Sequence, residues 1–323
     1  MGFSPSPLQE VTFEAIRAAS SRIRPSARVT PVITSRGLNE RAGLEIFLKC
    51  ENLQRTGSFK MRGATNFIRS IPAADLPKGV VAFSSGNHAQ AVAAAAREAG
   101  IPATVVMPQD APKSKVEATR DQGATIVHYN RFTDDREAIG RSIADDTGAM
   151  LVPPYDHPWT VIGQGTTGLE LMEQVPDLDA IVACTGGGGL LAGCAVAAKG
   201  INPNVRVFGA EPELANDWAL SMAKGEPVAV DPSRTIADGL RTPKPGAVTF
   251  PIVQRLVEGI LLVTEDEIRE MVRYLLTRVK ILAEPSGAVA TAAVVAGRLP
   301  KGIRKVGVTI SGGNVDWDVL KDL

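Results

Sequence analysis

The feature that most constrains the fold is a repeated alternation of short apolar runs with segments of helical periodicity. Apolar runs that fit buried strands lie at 45–50, 80–83, 103–107, 125–128, 150–152, 179–184, 205–209, 259–263 and 305–310. Helical patterns occupy 7–20, the stretch from 58 onward, 89–98, 113–121 and 134–146. Continuously apolar strands separated by helices are typical of parallel sheets that are covered by helices on both faces. The sequence therefore predicts an α/β fold.

The chain is predicted to form two lobes. A strand and helix unit at 79–152 interrupts a larger lobe made of 1–78 plus 153–323. A length of 323 residues suits this division, since domains average about 150 residues. Each lobe is expected to hold a mainly parallel sheet. Because ligands bind at lobe boundaries and at the carboxyl ends of parallel strands, we expect a ligand in the cleft.

Composition excludes some classes of partner. Lys plus Arg is 35 and Asp plus Glu is 35, which leaves no net charge. Binding to nucleic acid or to an anionic membrane needs a basic surplus, so neither partner is expected. The three cysteines, Cys50, Cys184 and Cys194, form no C-x-x-C motif. They predict buried, reduced thiols and a cytoplasmic protein.

Four consecutive glycines follow a predicted strand and precede a predicted helix. They are Gly186, Gly187, Gly188 and Gly189. Glycine lets several backbone N–H groups converge on an anion at a helix N-terminus, so this loop is predicted to bind a phosphate. The spacing of Gly187, Gly189 and Ala192 also satisfies a dinucleotide fingerprint, with Glu211 about twenty residues further on. From the loop alone, a nicotinamide enzyme stays an alternative.

Three further segments place polar side chains at the ends of predicted strands and helices. The turn 56–59 leads into Lys60 at the start of a predicted helix. The positive potential of a helix N-terminus lowers the pKa of an amine there and favours Schiff-base chemistry. The turn 84–88 (Ser-Ser-Gly-Asn-His) offers N–H donors to a substrate carboxylate, and the segment 311–314 (Ser-Gly-Gly-Asn) directly follows a strand.

Together these segments resemble the fold-type II pyridoxal-phosphate enzymes, which have a tryptophan synthase β-like fold. The resemblance is to the branch of serine/threonine dehydratases and serine racemases, and it covers essentially the whole chain with four motifs in order. Within that branch, the segments 129–137 and 153–158 resemble threo-3-hydroxyaspartate dehydratases. The resemblance implies pyridoxal phosphate as cofactor, a homodimer, and an amino acid as substrate.

The resemblance also implies a role for each motif residue. Lys60 is expected to hold the cofactor and then to act as the base at the substrate α-carbon, with Phe59 against the cofactor ring. The glycines 186–189 would hold the phosphate, Asn87 the 3′ oxygen, and Ser311 would face the pyridine nitrogen. A hydroxyl at that nitrogen makes the ring a weaker electron sink than a carboxylate does, which favours prompt β-elimination over transamination.

The same resemblance assigns the substrate carboxylate to one loop, whose residues are Ser84, Ser85, Gly86, Asn87 and His88. In the racemase branch the serine that matches Ser85 faces the second side of the α-carbon and exchanges its proton. Ser85 is therefore the second expected catalytic residue, after Lys60. Position 83 is Phe, where some racemases carry His, so the racemase proton network does not transfer as a whole.

A divalent-cation site and a second carboxylate site complete the expectations. Glu211 and Asp217, with the carbonyl of Ala215, match the cation site of the family, and such oxygen ligands suit Mg²⁺ or Ca²⁺, with Mn²⁺ as a further candidate. The side-chain carboxylate of 3-hydroxyaspartate needs a cation or several donors. The candidates, in order, are Arg136, Arg131, Arg241 and His157.

The function expected from these residues is β-elimination of a 3-hydroxy amino acid to a 2-oxo acid and ammonia. Candidate substrates are threo-3-hydroxyaspartate, L-threonine, L-serine and phenylserine. The alternative is a serine racemase with dehydratase activity as a side reaction. A nicotinamide-dependent oxidoreductase and a non-catalytic ligand-binding homologue are the remote alternatives.

Overall fold

The computed structural model describes residues 10–84, 86–111, 113–130 and 132–322. The strands are β1 (Val32–Thr34), β2 (Glu45–Cys50), β3 (Val80–Phe83), β4 (Ala103–Pro108), β5 (Thr125–Tyr129), β6 (Met150–Leu151), β7 (Ala180–Cys184), β8 (Arg206–Pro212), β9 (Gly259–Val263) and β10 (Lys305–Ile310). The helices are α1 (Phe13–Ile23), α2 (Arg36–Ala42), α3 (Lys60–Ser70), α4 (Asn87–Ala99), α5 (Lys113–Asp121), α6 (Arg136–Thr147), α7 (Pro158–Gln174), α8 (Gly189–Ile201), α9 (Asp217–Lys224), α10 (Thr249–Leu256), α11 (Glu265–Tyr274), α12 (Pro285–Val295) and α13 (Trp317–Lys321).

Every predicted strand is present, which confirms the α/β class. The helices α2, α7, α9, α10, α11, α12 and α13 were not predicted individually, and two elements near the start of the described chain also differ from the prediction. Helix α1 begins only after Thr12, whose side chain accepts a hydrogen bond from the N–H of Ala15 (3.1 Å). The predicted start at 7–9 lies outside the described residues. Strand β1 was not predicted, because a three-residue run after Pro31 is too short to show alternation.

The described strands form two sheets. The larger has the order β1-β2-β10-β7-β8-β9 and the smaller the order β5-β4-β3-β6. All neighbours pair in parallel except β1 and β2, which are antiparallel. The central strand β7 is buried along its whole length, as expected for a sheet covered on both faces. The parallel arrangement brings the glycine loop after β7 and Ser311 after β10 to one edge.

Helix α3 connects the two sheets. It lies in the predicted large lobe, yet Met61, Phe67 and Ile68 belong to the hydrophobic cluster of the smaller sheet. It also packs closely on α7, where a Cβ at Gly163 would lie 2.6 Å from the carbonyl oxygen of Arg62. The residue at the first position of α3 is therefore fixed with respect to both sheets, while the lobe boundaries at 78/79 and 152/153 stay a prediction.

A buried ionic cluster anchors α3. The guanidinium of Arg62 is bidentate to Glu51 (2.7 and 2.8 Å) and bidentate to Glu170 (2.7 and 2.8 Å). Lys49 on β2 adds a bond to Glu170 at 2.7 Å. Burial raises the pKa of Glu51, but the neighbouring Arg62 charge more than offsets it, so the pKa of Glu51 is lowered. The cluster ties α3 to β2 and α7.

The state of the cysteines and the character of the helices bear on the class of protein. The three cysteines are buried and free, which agrees with the predicted reduced thiols. Among the described residues, no helix has the length and apolar character needed to cross a bilayer.

Candidate active site

Lys60 is the first residue of α3 and lies where the two sheets face each other. Its Nζ donates a hydrogen bond to the carbonyl oxygen of Pro154 at 2.6 Å, and the centroid of the Phe59 ring lies 5.0 Å from Nζ. Burial lowers the pKa of Lys60 to about 8, although the nearby Cys184 and Glu284 act in the opposite direction. The largest cause of the lowered pKa is therefore desolvation by burial, which the sequence did not suggest.

The segment 311–313 runs alongside the turn before Lys60. The N–H of Phe59 donates to the carbonyl oxygen of Ser311 at 3.1 Å, and the N–H of Gly313 donates to that of Gly57 at 2.9 Å. The Ser311 side chain is buried at the carboxyl end of β10, with its Oγ 3.5 Å from the carbonyl oxygen of Ser286. The backbone bonds thus bring the Ser311 residue next to Phe59 and Lys60, so a hydroxyl, an aromatic ring and an amine with a lowered pKa lie in one region.

The glycine loop after β7 is held firmly by its neighbours. The carbonyl oxygen of Gly186 accepts a hydrogen bond from Trp218 Nε1 at 2.6 Å, and that of Gly187 accepts one from Thr249 Oγ1 at 2.8 Å. A Cβ at Gly187 would overlap the ring of Tyr155. Gly188 has a φ of +88°, which favours glycine. Helix α8 starts at the last glycine of the loop, so an anion here faces a helix N-terminus.

Glu284 is a site residue that the sequence argument missed. Its Oε1 accepts a hydrogen bond from Asn87 Nδ2 at 2.7 Å, and Asn87 Oδ1 in turn accepts one from Asn314 at 2.8 Å. Burial, reinforced by the charge of Asp238, raises the pKa of Glu284 to about 8. A single acid inside the apolar stretch 281–297 was the available signal, because an acid is rarely buried without a purpose.

The loop after β3 holds the expected carboxylate-binding residues. The N–H of Gly86 donates to Ser84 Oγ at 3.3 Å, and Asn87 begins α4. His88 Nε2 lies 2.8 Å from the carbonyl oxygen of Val152, so this nitrogen carries the proton, while the buried Nδ1 has no hydrogen-bond partner among the described residues. Burial, with a contribution from Lys60, lowers the pKa of His88 to about 3. Ser85 lies outside the described residues.

The residues expected to bind the side-chain carboxylate of the substrate differ in their surroundings. Arg136 begins α6 with its guanidinium 5.7 Å from the centroid of Phe83, the residue before the carboxylate loop. Arg241 directs its guanidinium to the carbonyl oxygen of Thr235 (2.9 and 2.7 Å). Arg131 lies outside the described residues. Of the two described arginine candidates, Arg136 is the one that contacts the residue before the loop, whereas the guanidinium of Arg241 is held by a backbone carbonyl.

The expectation that His157 binds substrate is not supported by its surroundings. Its Nδ1 accepts the N–H of Trp159 at 3.2 Å and so caps α7, and its ring packs edge-on against Phe67 and Trp159 with centroids 4.8 and 5.2 Å apart. Burial lowers the pKa of His157 to about 4, which keeps the ring neutral. A neutral, packed imidazole is poorly suited to bind a carboxylate.

An ion pair that was not predicted lies beside the carboxylate loop. Lys115 on α5 lies 3.0 Å from Asp238, which belongs to the 3₁₀ turn Asp238–Leu240. A Cβ at Gly86 would lie 3.9 Å from Lys115 Nζ. The two partners are 123 residues apart in sequence, and no local pattern marks either of them.

Glu211 and Asp217, here called the acidic pair, lie next to the glycine loop. Glu211 is buried at the end of β8; its Oε1 accepts the N–H of Ala219 (2.8 Å) and its Oε2 accepts Thr185 Oγ1 (3.2 Å). Asp217 Oδ2 is buried without a hydrogen-bond partner among the described residues, and burial raises the pKa of Asp217 to about 7. Such an orphaned oxygen fits a cation ligand. No group of three or more His, Cys, Asp or Glu side chains within the described ranges is arranged to hold a metal, so backbone oxygen or water would have to complete the site.

Comparisons with known proteins agree with this geometry. A family model described as "Pyridoxal-phosphate dependent enzyme" matches residues 23–312. The L-threo-3-hydroxyaspartate ammonia-lyase of Saccharomyces cerevisiae is 46% identical over 94% of each chain. The serine racemase of Schizosaccharomyces pombe is 45% identical, also over 94% of each chain. The structure of maize serine racemase is similar with a TM-score of 0.93 and 40% identity, covering 97% of this chain and 96% of that one.

These similarities decide between the two phosphate cofactors left open by the glycine loop. The matched family uses pyridoxal phosphate, and Glu211, the acid needed by the dinucleotide interpretation, is turned to Thr185 and α9. The nicotinamide alternative is therefore wrong. The residues around Lys60 fit pyridoxal phosphate, because they offer an amine, an anion-binding loop and a hydroxyl around one position. The chain belongs to the pyridoxal-phosphate dependent enzymes and has the fold of their fold-type II branch.

Proposed function

We propose that this protein is an ammonia-lyase that converts 3-hydroxy amino acids to a 2-oxo acid and ammonia. The observation that carries the proposal is the Lys60 amine, whose pKa burial lowers to about 8 and which lies near Cys184, the last residue of the strand before the glycine loop, and near Glu284, the partner of Asn87. An amine with a lowered pKa is both a nucleophile for an aldehyde and a base near neutral pH.

The chemistry divides between cofactor and protein. Pyridoxal phosphate, when bound, supplies an electron sink for negative charge at the substrate α-carbon. Neutral Lys60 takes the α-proton, and the Pro154 carbonyl holds the free amine in place. The β-hydroxyl then leaves with a proton as water. Hydrolysis of the released enamine uses one water, so the balance is one 3-hydroxy amino acid to one 2-oxo acid and one ammonia.

The test is reconstitution with the cofactor. We expect the wild-type protein to bind pyridoxal phosphate with the visible absorption of lysine-linked cofactor, and Lys60→Ala to lose that band. Loss of a general base reduces rates by about 10²- to 10⁴-fold, and 2-oxo acid formation should fall at least that far. Exposed Lys78 provides the matched control, because Lys78→Ala should leave both the band and the activity intact. A wild-type protein that stays colourless contradicts the proposal.

For the substrate we propose threo-3-hydroxyaspartate, supported by the position of Arg136 beside the carboxylate loop. Arg136→Gln should lower kcat/KM for threo-3-hydroxyaspartate by about tenfold or more, since a charge-assisted pair to a carboxylate is worth about 1.5–3 kcal/mol. The values for L-threonine, L-serine and phenylserine should hardly change. An equal loss for all four substrates would place Arg136 in a general role instead.

Serine racemisation is the second candidate, favoured by the 45% identity to the Schizosaccharomyces pombe serine racemase. Ser85 is the proposed second proton donor in that reaction. We expect Ser85→Ala to abolish D-serine formation from L-serine, measured by chiral chromatography. D-serine formation that survives this substitution removes Ser85 from the role.

A divalent cation at Glu211, Asp217 and the Ala215 carbonyl is also proposed, with Mg²⁺, Ca²⁺ or Mn²⁺ as the ion. The buried Asp217 Oδ2, which has no hydrogen-bond partner in the described part of the chain, supports it. Removing the ion with EDTA should lower Tm, and Asp217→Asn should make Tm insensitive to EDTA. The homodimer and the cytoplasmic location stay predictions, which light scattering and cell fractionation would test.

A further inference from the structure

Trp218 occupies a position between the acidic pair and the glycine loop. It is the second residue of α9, and its side chain is fully buried. The indole ring lies so close to Gly188 that a Cβ there would overlap it, and the other side of the ring stacks on Phe250 with centroids 6.1 Å apart. The ring is therefore held in one orientation by packing.

The indole N–H makes a single, specific bond to the loop. Trp218 Nε1 donates to the carbonyl oxygen of Gly186 at 2.6 Å. The carbonyl of Gly186 and the N–H of Gly187 belong to one planar trans peptide unit, so they point in opposite directions. Fixing the carbonyl toward Trp218 therefore directs the Gly187 N–H to the opposite side of the loop.

The neighbouring peptide unit is used differently. Thr249 Oγ1 holds the carbonyl of Gly187 at 2.8 Å, and the N–H of Gly188 donates to the carbonyl oxygen of Thr185 at 3.0 Å. That N–H is already used inside the protein. The unit that Trp218 holds differs in that no backbone hydrogen bond among the described residues uses its N–H, that of Gly187.

The backbone of Trp218 is fixed as well. Its backbone N–H and that of Ala219 lie 3.4 and 2.8 Å from the Glu211 carboxylate, which also accepts Thr185 Oγ1 at 3.2 Å. Thr185 is the residue immediately before the glycines. Strand β8, helix α9 and the glycine loop are thereby linked around one indole.

We propose that Trp218 is a positioning residue for the cofactor phosphate: its indole N–H holds the Gly186 carbonyl and so presents the Gly187 N–H to the phosphate. The inference rests on the proposed cofactor but adds a residue that does not contact the cofactor. It acts on the phosphate end alone, because neither the indole nor Gly187 belongs to the set around Lys60, Ser311 and Asn87.

The test compares two aldehydes, pyridoxal phosphate and pyridoxal, which differ only by the phosphate. Trp218→Phe keeps an aromatic ring against Gly188 and Phe250 but removes the N–H donor. Loss of a buried hydrogen bond costs about 1–1.5 kcal/mol, so the Kd for pyridoxal phosphate, measured by absorbance titration of cofactor-free protein, should rise about tenfold. The Kd for pyridoxal should stay within about twofold. The exposed Trp317 provides the control, since Trp317→Phe should change neither value.

The outcomes separate this inference from the proposed function. An unchanged Kd for pyridoxal phosphate in Trp218→Phe overturns the positioning role while leaving the cofactor assignment intact. Equal weakening for both aldehydes also overturns it, because the indole would then act through general packing. A wild-type protein that binds neither aldehyde defeats the proposed function itself.

A second measurement uses the wild-type protein, in case Trp218→Phe does not fold. With ¹⁵N-labelled tryptophan, the indole N–H resonance of Trp218 is identified by assigning Trp159 and Trp317 through their Phe variants. We expect this resonance to shift when pyridoxal phosphate binds and to stay in place with pyridoxal. The same response to both aldehydes contradicts the proposal.

Discussion

The loops after β7 and β3 face the same cleft but are built differently. After β7, the carbonyls of Gly186 and Gly187 are each held by a buried side chain, and the Tyr155 ring closes over the loop. After β3, the bond from Gly86 to Ser84 Oγ is 3.3 Å long, and both of these residues are only partly buried. Buried side chains therefore hold the carbonyls of the glycine loop, whereas Ser84 and Gly86 have less support than Asn87, which Glu284 and Asn314 hold.

The difference between the two loops suits two tasks, which are to retain a cofactor and to exchange a substrate. A cofactor that stays bound through every turnover gains affinity from a preorganised site, because no ordering cost is paid on binding. A substrate that must enter and leave is better served by a loop that changes shape. Substrate preference can therefore vary on such a scaffold while the cofactor site stays the same.

The largest expected effect comes from adding one methyl group to each loop. Gly187→Ala forces a Cβ into the Tyr155 ring, whereas a Cβ at Gly86 meets only the tip of Lys115 at 3.9 Å. Overpacking costs about 1–3 kcal/mol, so Gly187→Ala should weaken pyridoxal phosphate binding about 10- to 100-fold. Gly86→Ala should leave the cofactor Kd within about twofold and act on KM for the amino acid.

Absorbance titration for the cofactor and initial rates for the substrate provide the two measurements. The contrast fails if both alanine variants lose the cofactor to a similar degree, since the β3 loop would then be as rigid as the β7 loop. Circular dichroism of both variants shows whether either has lost its fold.

The next effect concerns Glu284. Its carboxylate accepts a hydrogen bond from Asn87, the first residue of α4, and Asn87 accepts one from Asn314 in the segment after β10. The pKa of Glu284 is raised from the ordinary range to about 8 by burial. A carboxyl group with a raised folded-state pKa stabilises the protein at low pH, and this stability is lost as the pH rises toward 8. Glu284→Gln resembles the protonated form, so its Tm relative to wild type should increase from pH 5 to about pH 8 and then level off in the cofactor-free protein.

The matched comparison is Glu258→Gln, on an exposed acid that pairs with Arg206 and whose pKa is lowered by that partner. Its Tm difference from wild type should not grow between pH 5 and pH 9. A flat Tm difference for Glu284→Gln over the same range would show that the carboxyl group is ionised throughout and stabilised by its neighbours.

Much of the site was predictable because parallel strands present their following loops at one edge. The glycines after β7, Ser311 after β10 and Asn87 after β3 each follow an apolar run that the sequence shows directly, and their arrangement follows from strand order. Lys60 was marked by its turn and helix start. The cause of its lowered pKa was not, since burial depends on how the two sheets close around α3.

The residues that were missed depend on long-range packing. Glu284 was visible as an acid in an apolar stretch, but only the fold shows that it holds Asn87. Trp218 looks like any aromatic residue on a helix, and its bond to Gly186 spans 32 residues. His157 was the last of four candidates for the second carboxylate, whereas its ring packs against Phe67 and Trp159 and caps a helix.

The smallest expected effect concerns the loop after β3, which is compared here with the glycine loop. Lys115 and Asp238 form a partly exposed pair beside this loop, with 15% and 49% of their side chains exposed. Such pairs contribute about 0–1 kcal/mol, so Lys115→Met should raise KM for the amino acid only a few-fold, because α5 loses its tie to the 3₁₀ turn near Gly86. The cofactor Kd should not change. Asp238→Asn should have a similar effect, and the double variant should be no worse than either single one, since both remove the same contact. If the double variant shows the sum of the two effects, the residues act on the substrate separately, and the pair does not hold the loop.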